Sequence, residues 1–240
     1  MPKLIFDQTG ERLYEIGVKY GVLYVQEGTA YPKGVVWNGL TAVTESPSGA
    51  EATPLFADDI KYLNLVSAEE FGATVEAYTY PEEFEQCDGS AALEAGLNVG
   101  QQTRKTFAFC YTTSLGNDTQ GQDFGYKIHI IYGCKAKPSE KSYSTINDSP
   151  EAVTFSWDIS TVPVPVEGMN PTATVVIDST RMDKSKLKII EDKLYGTESA
   201  EVIGVGPEVE HLAEGDKIII HKGSGSEFTN PGDNQKYRSI

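Results

Sequence analysis

Histidine and cysteine are scarce in this chain, at three each in 240 residues. His129, His211 and His221 are scattered, and Cys87, Cys110 and Cys134 show none of the short spacings that hold zinc. A metal site would need chance convergence, so the histidines are expected to be isolated surface or edge residues. The odd number of cysteines fits free thiols in a protein made in a reducing cytoplasm. Cationic charge is short as well: 20 Lys and Arg against 35 Asp and Glu, a formal net charge of −15. Reading a DNA duplex takes clustered cations on the phosphates, so sequence-specific DNA binding is disfavoured, as is docking to an anionic membrane. No apolar run approaches the roughly 20 residues that span a bilayer. No basic segment followed by an apolar one opens the chain. A soluble protein without an export signal is expected.

Catalytic signatures are missing too. Without Gly-x-Ser-x-Gly there is no support for an α/β-hydrolase nucleophile. Gly204-Val205-Gly206-Pro207 lacks the third glycine, the Lys-Ser/Thr pair and the following helix of a phosphate loop, and reads as a turn. Glu82, Glu83, Glu85 and Asp88 lack the alternation about a glycine turn that calcium needs, and read as a solvated acidic face. Asp58-Asp59 reads as the end of a loop rather than an acid–base pair. Asn117 and Asn147 stand in glycosylation sequons, here read as turn residues. Trp37 and Trp157 would make a sugar platform if exposed, but each sits in an alternating strand, where core packing is expected. The expectation is therefore no enzyme, no cofactor and no metal.

What is present is β structure. Tyr (13) and Gly (23) are frequent, and Val and Thr recur in alternation. Residues 13–26 put Val18, Tyr20, Val22 and Tyr24 on one parity. Further strands are predicted at 35–44, 60–66, 104–113 (Phe107, Phe109 and Tyr111 on one side), 126–136 (Ile128, Ile130 and Tyr132), 152–160 (Val153, Phe155, Trp157 and Ile159) and 173–177. The strand at 73–80 sets Ala73, Val75, Ala77 and Thr79 against Thr74, Glu76, Tyr78 and Tyr80. A turn over 114–123 joins two of these strands as a hairpin. Two prolines exclude 162–166 from a central strand. Pro81 suits the start of one helical turn over 81–86. The one clear helix is 183–195, with Leu187, Ile190 and Leu194 as its apolar stripe, Asp183 as N-cap and Gly196 at the C′ position.

Around eight strands and one helix predict a mainly β fold, a β-sandwich or open barrel with one packed α-helix. The β domain is expected over 1–196. An extension over 197–240 reads as a short β hairpin and a mobile Gly-, Ser-, Asn- and Pro-rich tail, with 223–226 resembling a linker. Residues 45–59, punctuated by Pro47, Gly49 and Pro54, are expected to form a long polar loop. Loops of that length in a compact domain are usually functional or disordered.

Several segments taken together resemble one family. They are Trp37-Asn38-Gly39-Leu40, Ser46-Pro47-Ser48-Gly49-Ala50-Glu51, Tyr78-Thr79-Tyr80-Pro81 with Phe84, Lys127-Ile128-His129-Ile130-Ile131-Tyr132-Gly133, Thr154-Phe155-Ser156-Trp157 and Leu194-Tyr195-Gly196. Over residues 4–196 the chain resembles the major tail protein, the tail tube subunit, of long-tailed phages and prophages. The resemblance implies a β-sandwich whose inner sheets join across subunits into one barrel, as hexameric rings. The rings stack into a tube that conducts DNA and encloses the tape measure protein, and tail-tip and terminator proteins bound its ends. The expected location is the virion tail, with the host cytoplasm during assembly.

The resemblance also implies a loop from each subunit that docks on the neighbouring ring. Residues 45–59 are the natural candidate, through Ser46, Pro47, Gly49, Glu51, Pro54 and the apolar anchors Leu55 and Phe56. Negative charge on the lumen wall would let DNA slide past without specific binding, and Glu76 is a candidate lumen-facing residue. A reading from another class is a β-sandwich module that binds carbohydrate or a receptor on a virion or cell surface. Such a module would be a stable monomer with exposed aromatic rings.

Overall fold

Alternation in the sequence becomes one large antiparallel sheet. The computed structural model describes residues 3–146, 148 and 152–197, with short segments at 199–201, 217–219, 227–229 and 236–238. The chain divides into two compact units, Met1–Leu187 and Lys188–Ile240. In the first unit, eight strands make the sheet: β1 (Leu13–Val25), β2 (Gly34–Trp37), β3 (Leu40–Glu45), β8 (Gly72–Ala77), β11 (Phe107–Asn117), β12 (Gly121–Ala136), β13 (Phe155–Thr161) and β14 (Thr174–Asp178). Three small ribbons leave it, formed by β4 (Ser48–Gly49) with β7 (Glu69–Glu70), β5 (Ala52–Ala57) with β6 (Ile60–Val66), and β9 (Ala91–Glu94) with β10 (Leu97–Val99). Helical structure in this unit is a 3-10 turn at Glu82–Phe84, α1 at Glu85–Asp88 and the start of α2 (Lys184–Tyr195). The protein is mainly β.

The strand order is β2-β1-β11-β12-β13-β8-β3, with β14 also paired to β12. The two ends of this path, β2 and β3, are consecutive in the chain and separated only by Asn38 and Gly39. A sheet whose opposite edges are joined by so short a link must roll until those edges meet, so the sheet is an open barrel. Sequence patterning predicts a single strand over 35–44. It breaks instead at Gly39, whose φ of 77° turns the corner. The Trp37 indole N–H then donates to the Thr79 carbonyl at 2.8 Å, and the Tyr78 amide donates to the Gly39 carbonyl at 2.9 Å.

The barrel interior is aromatic. Trp37, Phe84, Phe107, Phe109 and Trp157 are fully buried. Trp37 lies 4.5 Å from Phe84 and 5.5 Å from Trp157, ring centre to ring centre. Both tryptophans are thus core residues and offer no exposed sugar platform. The 3-10 turn and α1 close the end of the barrel at Leu40 and Ala77 by inserting Phe84 and Cys87 into the core. Strand β1 departs from the predicted parity. Register shifts fall between Ile16 and Lys19 and between Lys19 and Val22. Val18 therefore packs on the main core with Leu23 and Val25, Tyr20 points to solvent, and Val22 and Tyr24 are buried on the other face.

The predicted helix forms as α2. The Asp183 carboxylate accepts the amides of Ser185 at 3.0 Å and Lys186 at 3.2 Å as an N-cap, and Gly196 takes φ 82° after the helix ends. In the second unit β15 (Ser199–Glu201) pairs with β16 (Lys217–Ile219), and β17 (Glu227–Thr229) with β18 (Lys236–Arg238). The readings made for residues 204–207, His211, His221, the 223–226 linker, most of the 222–240 tail and Asn147 lie outside the described residues.

Candidate assembly surface

The segment expected as a polar loop at 45–59 is for the most part a strand ribbon. Strands β3 and β8 pair from Leu40↔Ala77 to Glu45↔Ala73, and the Ser46 amide continues the ladder to the Gly72 carbonyl at 2.8 Å. The β4–β7 pair, Ser48↔Glu70 and Gly49↔Glu69, comes next. Gly49 has φ 83°, and a Cβ there would run into the Ala68 carbonyl oxygen, so this kink needs glycine. Beyond Ala50 (φ 54°) and Glu51, β5 and β6 pair from Ala52↔Val66 to Ala57↔Ile60. Asp58 (φ 51°) and Asp59 (φ 63°) form the tip, a two-residue hairpin turn with both residues left-handed. Residues 40–77 are therefore one long hairpin, rooted in the barrel and projecting from it as an arm.

Every residue of β5 and β6 is exposed. Phe56 is 70% exposed, Tyr62 68% and Leu55 42%. The ladder puts Leu55 beside Leu63 and Thr53 beside Leu65 on one face. A register shift at Phe56 sets it opposite Lys61, on the other face. Both faces thus carry apolar side chains with nothing over them among the described residues of the first unit. An isolated two-stranded ribbon is at best marginally stable in water, so the arm gains order from whatever covers it. Of the expected loop residues, Ser46, Pro47, Gly49 and Glu51 lie in the root and neck of the arm, and Pro54, Leu55 and Phe56 in β5. The apolar residues of β6, Ile60, Tyr62, Leu63, Leu65 and Val66, belong to the same surface. Reading β6 as a strand separate from a loop missed this. The available signal was Asp58-Asp59, a two-residue turn between two short apolar runs.

At its root the arm is tied to a polar cluster inside that end of the barrel. The Tyr111 hydroxyl donates to Glu45 at 2.8 Å. The Tyr111 ring stacks on the His129 imidazole, with centroids 4.6 Å apart. His129 Nε2 lies 3.3 Å from Glu15 and Nδ1 3.6 Å from Glu45. Glu15 also accepts the Lys127 ammonium at 2.6 Å and the Thr113 hydroxyl at 2.5 Å. His129 is thus a buried residue between two carboxylates, which corrects its reading as an isolated edge histidine. Four strands, β1, β3, β11 and β12, bring these groups together across the rolled sheet, and their spacing in sequence gives no sign of it. Partial burial works to raise the Glu15 carboxyl, but the hydrogen bonds from Lys127 and Thr113 outweigh it, so its pKa is lowered. The Tyr111 hydroxyl is pushed up, first by burial and then by its bond to Glu45.

Glu76 lies on the sheet face opposite the core, between Ala42 on β3 and Ser156 on β13. Its neighbours on that face, Thr74 and Asp158, share a hydrogen bond of 2.8 Å. A shallow cleft of about 310 Å³ at the root of the arm is lined by Ser46, Ser48, Glu70, Thr74, Lys137 and Asp158 among others. Cys87, Cys110 and Cys134 are buried thiols outside any disulfide, and burial pushes the Cys87 thiol up to about 12. Among the described residues no group of three or more His, Cys, Asp or Glu is arranged to hold a metal ion, and no helix is long and apolar enough to cross a membrane.

No protein-family model matches the chain, and no curated protein does. Among solved structures, the chain is similar to one from the cryo-EM structure of an extracellular contractile injection system, a PVC sheath-tube complex in the extended state. Identity is 12%, the match covers 66% of this chain and 88% of that one, and the TM-score is 0.30. A likeness this slight sets neither fold nor function.

Proposed function

We propose that this protein is a structural virion protein, the subunit of a phage tail tube. It polymerises as stacked hexameric rings around a lumen that conducts DNA during genome ejection, with the tape measure protein inside during assembly and tail-tip and terminator proteins at the ends. The observation that carries this reading is the arm: a ribbon projecting from a packed barrel, apolar on both faces, that a lone copy leaves uncovered. The family resemblance of residues 4–196 supports the same reading. So does the net charge of −15, since an acidic wall repels phosphate and lets DNA pass without being held. In this account the arm docks on the neighbouring ring through Leu55 and Phe56, and Glu76 faces the lumen.

Negative-stain electron microscopy of the purified chain across a concentration series tests the proposal. Hollow tubes or rings with a regular axial repeat are the expected outcome. A chain that stays single at high concentration and does not add onto a tail-tip complex would overturn it, and glycan binding would then be the property to assay.

A further inference from the structure

The β3–β8 pair leads to an exposed apolar hairpin in each direction. The arm leaves from the end at Glu45 and Gly72. From the other end, at Leu40 and Ala77, the chain runs through the 3-10 turn and α1 into the β9–β10 hairpin, then returns to β11 at Phe107. Every residue of β9 and β10 is exposed, including Leu93, Leu97 and Val99. Sequence patterning shows only a weak Gly- and Ala-rich stretch there. An open cleft of about 410 Å³ at this end is lined by Glu82, Glu85, Ala91, Ala92, Thr103 and Lys105 among others. Beside it the Arg104 guanidinium rests against Gly89, and its Nε is buried without a hydrogen-bond partner. Glu83 pairs with Lys33 at 3.9 Å, and Glu85 accepts Asn98 at 2.6 Å. Asp88 is taken up by Lys141 at 2.6 Å, and Glu82, Glu94 and Lys105 are exposed.

The arm carries charges that can pair with Arg104, Lys105 and Glu82. Its tip holds two adjacent exposed carboxylates, Asp58 and Asp59, with Lys61 just behind them. We infer that the arm of one copy docks head-to-tail on the β9–β10 end of a second copy, with Asp58 and Asp59 meeting Arg104 and Lys105, and Lys61 meeting Glu82. The apolar faces of the arm then cover Leu93, Leu97 and Val99. A two-fold contact made tip to tip would set four carboxylates against one another, which like-charge repulsion opposes. A head-to-tail contact leaves one arm and one receiving end free at each step, so it propagates. The inference rests on the tail tube reading for the form of the polymer, and names the surface that receives the arm.

Asp59→Cys and Lys105→Cys chains, mixed, concentrated and oxidised, test it, since the three native thiols are buried. The expected product is a disulfide between one chain of each kind, absent when either variant is oxidised alone. Asp58→Lys with Asp59→Lys is expected to stop growth, and adding Arg104→Asp with Lys105→Asp to the same chain to restore it. Tubes that form without the mixed disulfide, or a disulfide of Asp59→Cys with itself, would overturn the inference and leave the tube reading standing. A mixed disulfide in a chain that never forms tubes would support the contact and reject the tube.

Discussion

The polar cluster of Glu15, Glu45, Tyr111, Thr113, Lys127 and His129 sets two partly exposed carboxylates against the buried Tyr111 and His129 rings at the end of an aromatic core. Each carboxylate accepts a hydrogen bond there. Replacing Tyr111 with Phe removes the hydroxyl that holds Glu45 while keeping the ring stack on His129. It is expected to cost about 1 kcal/mol in denaturant unfolding of the unassembled chain. Glu15 supplies a pH dependence of definite sign. Its folded pKa is lowered from the ordinary value of 4.5, so its stabilising effect is fully present above that value. The effect is lost as the pH falls through the lower folded value. Glu15→Gln is expected to lower stability at neutral pH and to flatten the loss of stability below the ordinary carboxylate value, as read by unfolding at a series of pH values. None of this was legible in the sequence. Lys127 and His129 stand two apart on one strand, and only the fold brings Glu15 and Glu45 to His129.

At the scale of elements, legibility followed burial. β8, β11, β12 and β13 each bury at least one face, and their alternation gave them away. The helix announced itself through Asp183, Leu187 and Gly196. β5 did not, because a strand exposed on both faces need not alternate, and Pro54 argued against a strand at all. The β9–β10 hairpin was missed for the same reason. Parity failed along β1 where two register shifts turn the side chains over, and the 35–44 strand was cut by a barrel corner that only Gly39 hints at. The arm makes its own prediction. Held only by its own ladder, it should open more readily than the barrel. Within residues 13–178, limited trypsin digestion of the unassembled chain is expected to cut first after Lys61 and to leave the two fragments associated. Early cleavage within β11 or β12 instead would contradict the arm's independence.

For the whole molecule, the sheet rolls until its two ends meet at Asn38 and Gly39, and its aromatic core is closed at one end by Phe84 and Cys87. The arm is different, since its apolar faces have no cover among the described residues of the first unit. A mainly β barrel was legible from strand number and turn spacing, and the tail tube reading rested on the resemblance. The continuity of residues 40–77 as one hairpin became visible only in three dimensions. In the proposed tube, the role of this arm is to join copies. That role is tested most directly by electron microscopy of the unmodified chain beside Leu55→Ser with Phe56→Ser, at matched concentrations and with folding checked by thermal unfolding. The account predicts hollow tubes with a regular axial repeat from the unmodified chain, and a variant that keeps its unfolding transition but forms no tubes. Tubes from the variant as abundant as those from the unmodified chain would contradict it.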